Sequence, residues 1–211
     1  MRFWIRDAGK SREYTDWRQL MKQKRKGGLL AALQSEAARY TPDDLEILLQ
    51  RYAVKIRTLP QDYREELKKY ARIQIADGYT ALATAGLNPV RAREKLPASW
   101  PDFVAFVLTE VDGDHARLRS LKYLIIAYTI FIEEKPPHAA GMPFPGGLAV
   151  ERIDGIYYCP VKESWEGIDT AVCKFCPAIQ SRERDLMLSK EQRDAVAKDE
   201  KIANYFYNFK G

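Results

Sequence analysis

The run HARLRSLKYLIIAYTIFIEE, residues 115–134, decides what kind of fold the chain can adopt. Its length is helical, and Leu118, Leu121, Leu124, Ile125 and Tyr128 fall on one side at helical spacing, which marks it as a central helix. The β-branched stretch from Ile125 to Ile132 would also suit a strand. The most apolar part, Tyr123 to Ile132, is about ten residues, roughly half a membrane span, and charges bound it on both sides, so it reads as buried core.

Upstream of this run the signals are helical. Thr15-Asp16-Trp17 opens a helix with Trp17, Leu20 and Met21 at helical spacing, which Gly27-Gly28 is expected to interrupt, and Leu29 to Tyr40 continues as helix. Thr41-Pro42-Asp43-Asp44 is a start signal: Thr as N-cap, Pro at the first helical position, carboxylates at the positive helix end. Pro60-Gln61-Asp62 starts a helix reaching Leu82, and Gly86-Leu87-Asn88-Pro89 ends it. Ser99-Trp100-Pro101-Asp102 has the spacing of a capping box before a short helix through Val111.

Downstream the period changes. Pro136-Pro137 stops the helix, and Met142-Pro-Phe-Pro-Gly-Gly147 reads as an irregular turn-rich loop. Leu148 to Ile153 and Ile156 to Val161, joined by Asp154-Gly155, form a hairpin, because Asp-Gly suits the positive φ angles of a type I′ turn. Ser189-Lys190-Glu191-Gln192 caps a last helix. The expected fold is mainly α: a multi-helix, bundle-like body over 1–135, a loop, β-hairpin and Cys-x-x-Cys metal-binding knuckle over 136–180, and a C-terminal helix over 181–211 packed on the body. Neither repeats nor low-complexity segments occur.

All three cysteines and one of the two histidines fall between His138 and Cys176. Cys173-x-x-Cys176 is a turn that bends two thiolates towards one point, Cys159 lies on the hairpin's second strand, and His138 precedes it in the loop. The set His138, Cys159, Cys173 and Cys176 therefore reads as a Cys₃His metal site, with structural zinc as the expected metal. Glu151 or Asp169 is the expected partner for the second ring nitrogen of His138. An iron-sulfur cluster on the same ligands is the alternative, since Cys159-Pro160 and Cys176-Pro177 echo ferredoxin endings without their tight spacing. A thiol-disulfide pair lacks a thioredoxin-like context. The zinc deaminase pattern fails because Ala140 stands where its glutamate would be, and a di-iron helical site lacks its Glu-x-x-His pairs.

No Walker loop, nucleophile elbow or dinucleotide fingerprint is present, so no residue pattern names a reaction. An enzyme built on the metal would find Lys162, Glu163 or Asp169 nearby as acid-base groups. A binding or scaffolding protein is the first expectation. His115 reads as a surface or capping residue. The net charge of +5 is concentrated in residues 1–30, which carry nine Lys/Arg against three Asp/Glu. Arg18, Lys22, Arg25 and Lys26 would share one face of a basic N-terminal helix, a solvated face or a contact for nucleic acid or an acidic protein. Trp4, Tyr14 and Trp17 beside them could stack on bases but suit a core better. With no secretory signal and no membrane span, the expected location is cytoplasmic.

The C-terminal stretch resembles an uncharacterised archaeal family, mostly of methanogens, with a His-Pro-x-Gly-x-Pro-Phe-Pro-Gly-Gly loop, then Tyr-Tyr-Cys-Pro-Val-Lys and Cys-x-Phe-Cys. Here these are His138 to Gly147, Tyr157 to Lys162 and Cys173 to Cys176, with Ala139 in place of the family's Pro. The family carries no assigned activity. The resemblance implies an anaerobic archaeal cytoplasm, in which zinc and iron-sulfur occupancy are both compatible with the ligands.

Overall fold

The structure, a computed structural model, describes residues 15–111, 115–163 and 172–181. The expected C-terminal helix from Ser189, together with Trp4, Tyr14 and Asp169, lies outside these described residues.

The chain is mainly helical. Its helices are α1 (Trp17–Met21), α2 (Lys26–Ala37), α3 (Pro42–Lys55), α4 (Gln61–Arg72), α5 (Gly78–Thr84), α6 (Pro89–Arg93), α7 (Trp100–Glu110) and α8 (Ala116–Ala127). Two π-helical turns extend this framework, Ile73–Asp77 between α4 and α5 and Tyr128–Ile132 after α8. The short strands are β1 (Pro143–Phe144), β2 (Leu148–Ala149), β3 (Glu151–Ile153), β4 (Ile156–Cys159) and β5 (Ile179–Gln180).

The central run is helix rather than strand. Every residue from Tyr123 to Tyr128 is buried, and a segment enclosed all round gains more from packing than its β-branched residues lose in helix propensity. Around it Trp17, Trp100, Phe103 and Phe131 form the aromatic centre of the core, with Trp100 stacked on Phe103 at 5.8 Å and edge-on to Phe131 at 5.0 Å. Both indoles keep hydrogen bonds: Trp17 Nε1 donates to Ser120 Oγ at 3.2 Å and Trp100 Nε1 to the Leu20 carbonyl at 3.3 Å. Trp17 is thus a core residue, not a base-stacking one.

Thr41 and Asp44 form the expected capping box, and Arg117 of α8 donates to Asp44 Oδ2 at 2.8 Å, so the same carboxylate caps α3 and pins it to α8. Ser99 differs from expectation: its backbone is already helical and its side chain caps nothing, because Trp100 and Pro101 carry the chain directly into α7. Gly27-Gly28 do not interrupt the helix but sit in the first turn of α2. A Cβ on Gly27 would stand 3.0 Å from both the Cβ and the carbonyl oxygen of Ala92, so this glycine is what lets α6 lie against α2. Helix α6 itself was not expected; Asn88 caps it by accepting from the Val90 and Arg91 amides at 3.1 and 2.9 Å.

The basic face is also rearranged. Non-helical residues separate Lys22 from Lys26, and Lys26 is only 3% exposed, paired with Glu94 at 2.5 Å and Glu134 at 2.8 Å. Burial withdraws that cation from any solvated or ligand-facing stripe.

The irregular loop of the sequence reading contains order. Pro143 and Phe144 pair antiparallel with Ala149 and Leu148 across a short 3₁₀ turn, and Met142, Phe144 and Val150 enter a second core against Tyr52 of α3, Ile56 just after it and Leu67 of α4. Tyr63 fixes this segment by donating to the Pro143 carbonyl at 3.2 Å. The three-stranded sheet has the order β3-β4-β5.

Candidate functional site

The hairpin builds the first wall of the site. Asp154 and Gly155 both take positive φ, 49° and 83°, and the turn sets Ile153 opposite Ile156 and Glu151 opposite Tyr158. Cys159 consequently falls at the end of β4, where it is buried. Strand β5 then pairs parallel to β4, Tyr158 with Ile179 and Cys159 with Gln180. The Gln180 side chain secures this two-residue strand: its amide donates to the Pro160 carbonyl at 3.0 Å and its oxygen accepts from the Glu163 amide at 2.9 Å. The segment carrying Cys173 and Cys176 is thereby returned to the end of β4.

That segment is a 3₁₀ turn, Val172–Phe175, closed by the Cys176 amide donating to the Cys173 carbonyl at 3.1 Å. Phe175 anchors it, lying 5.2 Å edge-on to Phe103 and 5.8 Å from Phe106 in the main core. The Lys162 ammonium donates to the carbonyls of both Cys173 and Cys176, the latter at 2.7 Å. Lys162 thus ties the end of the hairpin to the cysteine turn.

The three thiols share one electrostatic neighbourhood. Burial pushes Cys159 up to about 11 and Cys173 up to about 12, with repulsion from the neighbouring thiols adding to both, and burial also raises Cys176. Opposing this, the Val161 amide donates towards the Cys159 sulfur and the Ala178 amide towards the Cys176 sulfur. Both donors sit two residues beyond a cysteine, with proline between, so the two Cys-Pro pairs have the same local form. Among the described residues no three His, Cys, Asp or Glu side chains stand in a ligand array.

His138 shares a chamber with Cys173. Its ring is edge-on to Phe144 at 5.6 Å, and it lines a chamber of about 150 Å³ that Cys173 also lines. The remaining walls are mostly apolar, including Leu48, Tyr52, Ile125 and Met142. Desolvation there lowers the imidazole to about 4, so the ring is neutral at neutral pH and retains a lone pair. Glu151, considered as its partner, is exposed on β3. One chamber residue gave no sequence signal: Lys122 of α8, whose amine burial lowers to about 7, with Lys55 and Arg119 adding like-charge repulsion. Only the placement of α3 against α8 reveals it.

A family described as "Uncharacterized protein conserved in archaea (DUF2115)" matches residues 25–181, and the chain belongs to that family. It is 33% identical over 135 residues to UPF0305 protein MK0666 of Methanopyrus kandleri, covering 59% of this chain and 88% of that one. It is 43% identical over 58 residues to a UPF0305 protein of Methanothermobacter thermautotrophicus, covering 28% of this chain and 37% of the relative. A second match to a UPF0305 protein of that organism is 32% identical over 83 residues, 39% of this chain and 51% of the relative, so in these two matches the chain spans between about a third and a half of the relative's length. No solved structure matches the chain. Among the described residues no helix is long and apolar enough to cross a membrane.

Proposed function

We propose that this member of the archaeal family is a metal-stabilised binding protein in which Cys159, Cys173, Cys176 and His138 hold one zinc ion. The observation that supports the reading is the mutual electrostatic influence of Cys159, Cys173 and Cys176, with an amide donor for two of the sulfurs. Protonated, two buried thiols and a half-buried one gain nothing from one another. Deprotonated on a divalent cation they become ligands, and amide donors stabilise the charge left on sulfur. A neutral, half-buried imidazole at the wall shared with Cys173 is the form of histidine that a metal requires. Held by these residues, zinc would supply a redox-inert clamp between the cysteine turn, the hairpin and the loop.

That clamp would fix one wall of the chamber. A cavity of roughly this size with apolar walls accommodates a benzene-sized guest, so the bound molecule is small and mostly apolar. The same chamber favours a second reading, a metalloenzyme, since Cys173 and His138 both face it and a metal held there would be within reach of a ligand.

Elemental analysis and visible absorption of anaerobically purified protein test the metal. Zinc at one per chain without colour supports the proposal, and Cys173→Ser or Cys176→Ser should then lower the metal content, with His138→Ala weakening binding while a Cys-only residue persists. A strong chelator should raise hydrogen exchange in residues 138–163 and 172–180 and spare α1 to α8. Brown protein containing iron replaces zinc by a cluster, and unchanged metal content in both Ser variants rejects the site. Zinc with a displaceable fourth ligand moves the enzyme reading ahead of the structural one.

A further inference from the structure

Arg25 and Lys95 face each other across an isolated antiparallel bridge that joins the entry to α2 with the segment after α6. The bridging hydrogen bonds fall on the flanking residues: the Lys26 amide donates to the Glu94 carbonyl and the Leu96 amide to the Lys24 carbonyl, both at 3.0 Å. Arg25 and Lys95 are therefore the non-hydrogen-bonded pair, the position at which side chains on one face of an antiparallel ladder come closest. Like charges directly opposite each other there are destabilising. The Arg25 fork also donates to the Arg93 carbonyl, which holds the guanidinium beside the end of α6 and cancels none of its charge. Lys24, Arg25, Arg93 and Lys95 are all exposed.

The carboxylates nearest in the chain and in the bridge are engaged with other cations. Glu94 lies between Arg93 and Lys95 in sequence, but its carboxylate pairs with the buried Lys26. Glu134 is shared by Lys26 at 2.8 Å and Arg91 at 3.6 Å. Among the described residues, none of Lys24, Arg25, Arg93 and Lys95 forms an ion pair with a carboxylate. The fold thus neutralises its buried lysine and leaves four cations together on the surface, drawn from two segments that the Arg25–Arg93 bond joins across 68 residues.

We propose that Lys24, Arg25, Arg93 and Lys95 bind duplex DNA along its phosphate backbone, without reading base sequence. Closely spaced phosphates supply anions to both members of the opposed Arg25–Lys95 pair and relieve its repulsion. Single strands are held by stacking their bases on aromatic rings, and neither 22–25 nor 93–95 contains an aromatic side chain. Those segments offer no apolar centre either, which a protein partner's interface needs. Duplex RNA is held largely through 2′-hydroxyls in its minor groove, which a surface of cations alone does not engage. The surface is independent of the metal reading, because none of its residues lies among the proposed ligands or along the chamber.

The test is fluorescence anisotropy of a labelled DNA duplex of about two helical turns, titrated with the full chain over a range of salt concentrations. Four phosphate contacts at about 0.9 each give an expected slope of about −3 to −4 in log K against log salt. Lys24→Gln together with Lys95→Gln should make that slope shallower by about two and weaken binding about tenfold at low salt. Neither side chain makes a hydrogen bond to a described residue, so this variant should fold, and its urea midpoint checks that it does. Lys69→Gln with Arg72→Gln removes the same charge from exposed positions of α4 and should leave affinity within about twofold. Absence of binding at low salt overturns the proposal, as does an equal loss in both double variants. So does tighter binding of single-stranded DNA, of duplex RNA of the same sequence, or of poly-glutamate at equal charge concentration.

Discussion

Phe175→Ala should loosen the cysteine turn without unfolding the helical body. Truncating a fully buried Phe costs about 3–5 kcal/mol. Phe175 is half-buried, and its two ring contacts, to Phe103 at 5.2 Å and Phe106 at 5.8 Å, are worth about 0.5–1.5 kcal/mol each beyond area, so about 2 kcal/mol is the expected loss. Phe103 and Phe106 have other partners in the core, whereas Phe175 is the ring that joins the turn to them, so the loss should appear as local opening. About 2 kcal/mol is roughly a thirtyfold increase in the open population. Alkylation of Cys173 and Cys176, followed by mass spectrometry on as-purified protein, should accelerate by about that factor, with the urea midpoint of far-UV circular dichroism nearly unchanged. Phe175→Leu, which keeps most of the volume, should accelerate it only a few-fold. Unchanged alkylation in the Ala variant, or a fall in the global midpoint that accounts for all of the acceleration, would refute the anchor.

Three further outcomes are expected. Gly27→Val should lower stability by about 1–3 kcal/mol in urea titrations because Ala92 already fills the space its Cβ needs, while Gly27→Ala should be milder, the gain in helix propensity offsetting part of the clash; equal effects would show that α6 yields freely. The hydrogen bond from Arg117, with help from Thr41, holds the Asp44 carboxyl below its ordinary 3.8, so its contribution is present above pH 3.8 and lost as pH falls through the lower folded value. Asp44→Asn should remove that acid dependence and cost about 1–2 kcal/mol at pH 7, and an unaltered acid limb between pH 5 and 2 contradicts the assignment. Lys122 titrates near 7 folded against 10.5 unfolded, so the unfolded chain binds more protons between these values and stability rises with pH across that window. Lys122→Met should flatten the rise and raise stability at pH 7; a decrease there would mean the amine is stabilised by its surroundings.

Local chemistry was readable in the sequence wherever it was self-contained. Asp154-Gly155 takes the two positive φ angles its composition favours, and Thr41-Pro42-Asp44 caps α3 because every group it needs lies within four residues. The central helix was readable by its length and by the spacing of Leu118, Leu121, Leu124, Ile125 and Tyr128, although the stretch from Tyr123 to Tyr128 is buried all round and its β-branched residues also suit a strand. What escaped depends on partners far along the chain. Gly27-Gly28 looks like a helix breaker until Ala92 is seen 3.0 Å away. Lys26 reads as one more surface cation until Glu94 and Glu134 arrive from 68 and 108 residues downstream. Strand β5 has two residues and no period of its own; its position follows from Gln180 meeting Pro160. At the candidate site, the spacing of Cys159, Cys173 and Cys176 is what proposes them as ligands, whereas the chamber lined by Cys173 and His138 is a property of packing alone.

The π-helical turn at Ile73–Asp77 acts as a phase shifter in what would otherwise be one long rod. An α-helix advances about 100° per residue, and a π turn accommodates one residue more than the α-helical count. Helix α5 is therefore rotated by about that angle relative to a straight continuation of α4. The rotation matters because α4 and α5 serve different cores: Leu67 and Ala71 face the second core, while Leu82 is fully buried in the main one and Gly78 lies where a Cβ would come within 2.8 Å of Ile125. Deleting one residue from this turn would straighten the rod and swing Leu82 off its core, although no side chain outside the turn had changed. For sequences of this family, a one-residue gap at this position would carry more structural information than many substitutions elsewhere in the helix.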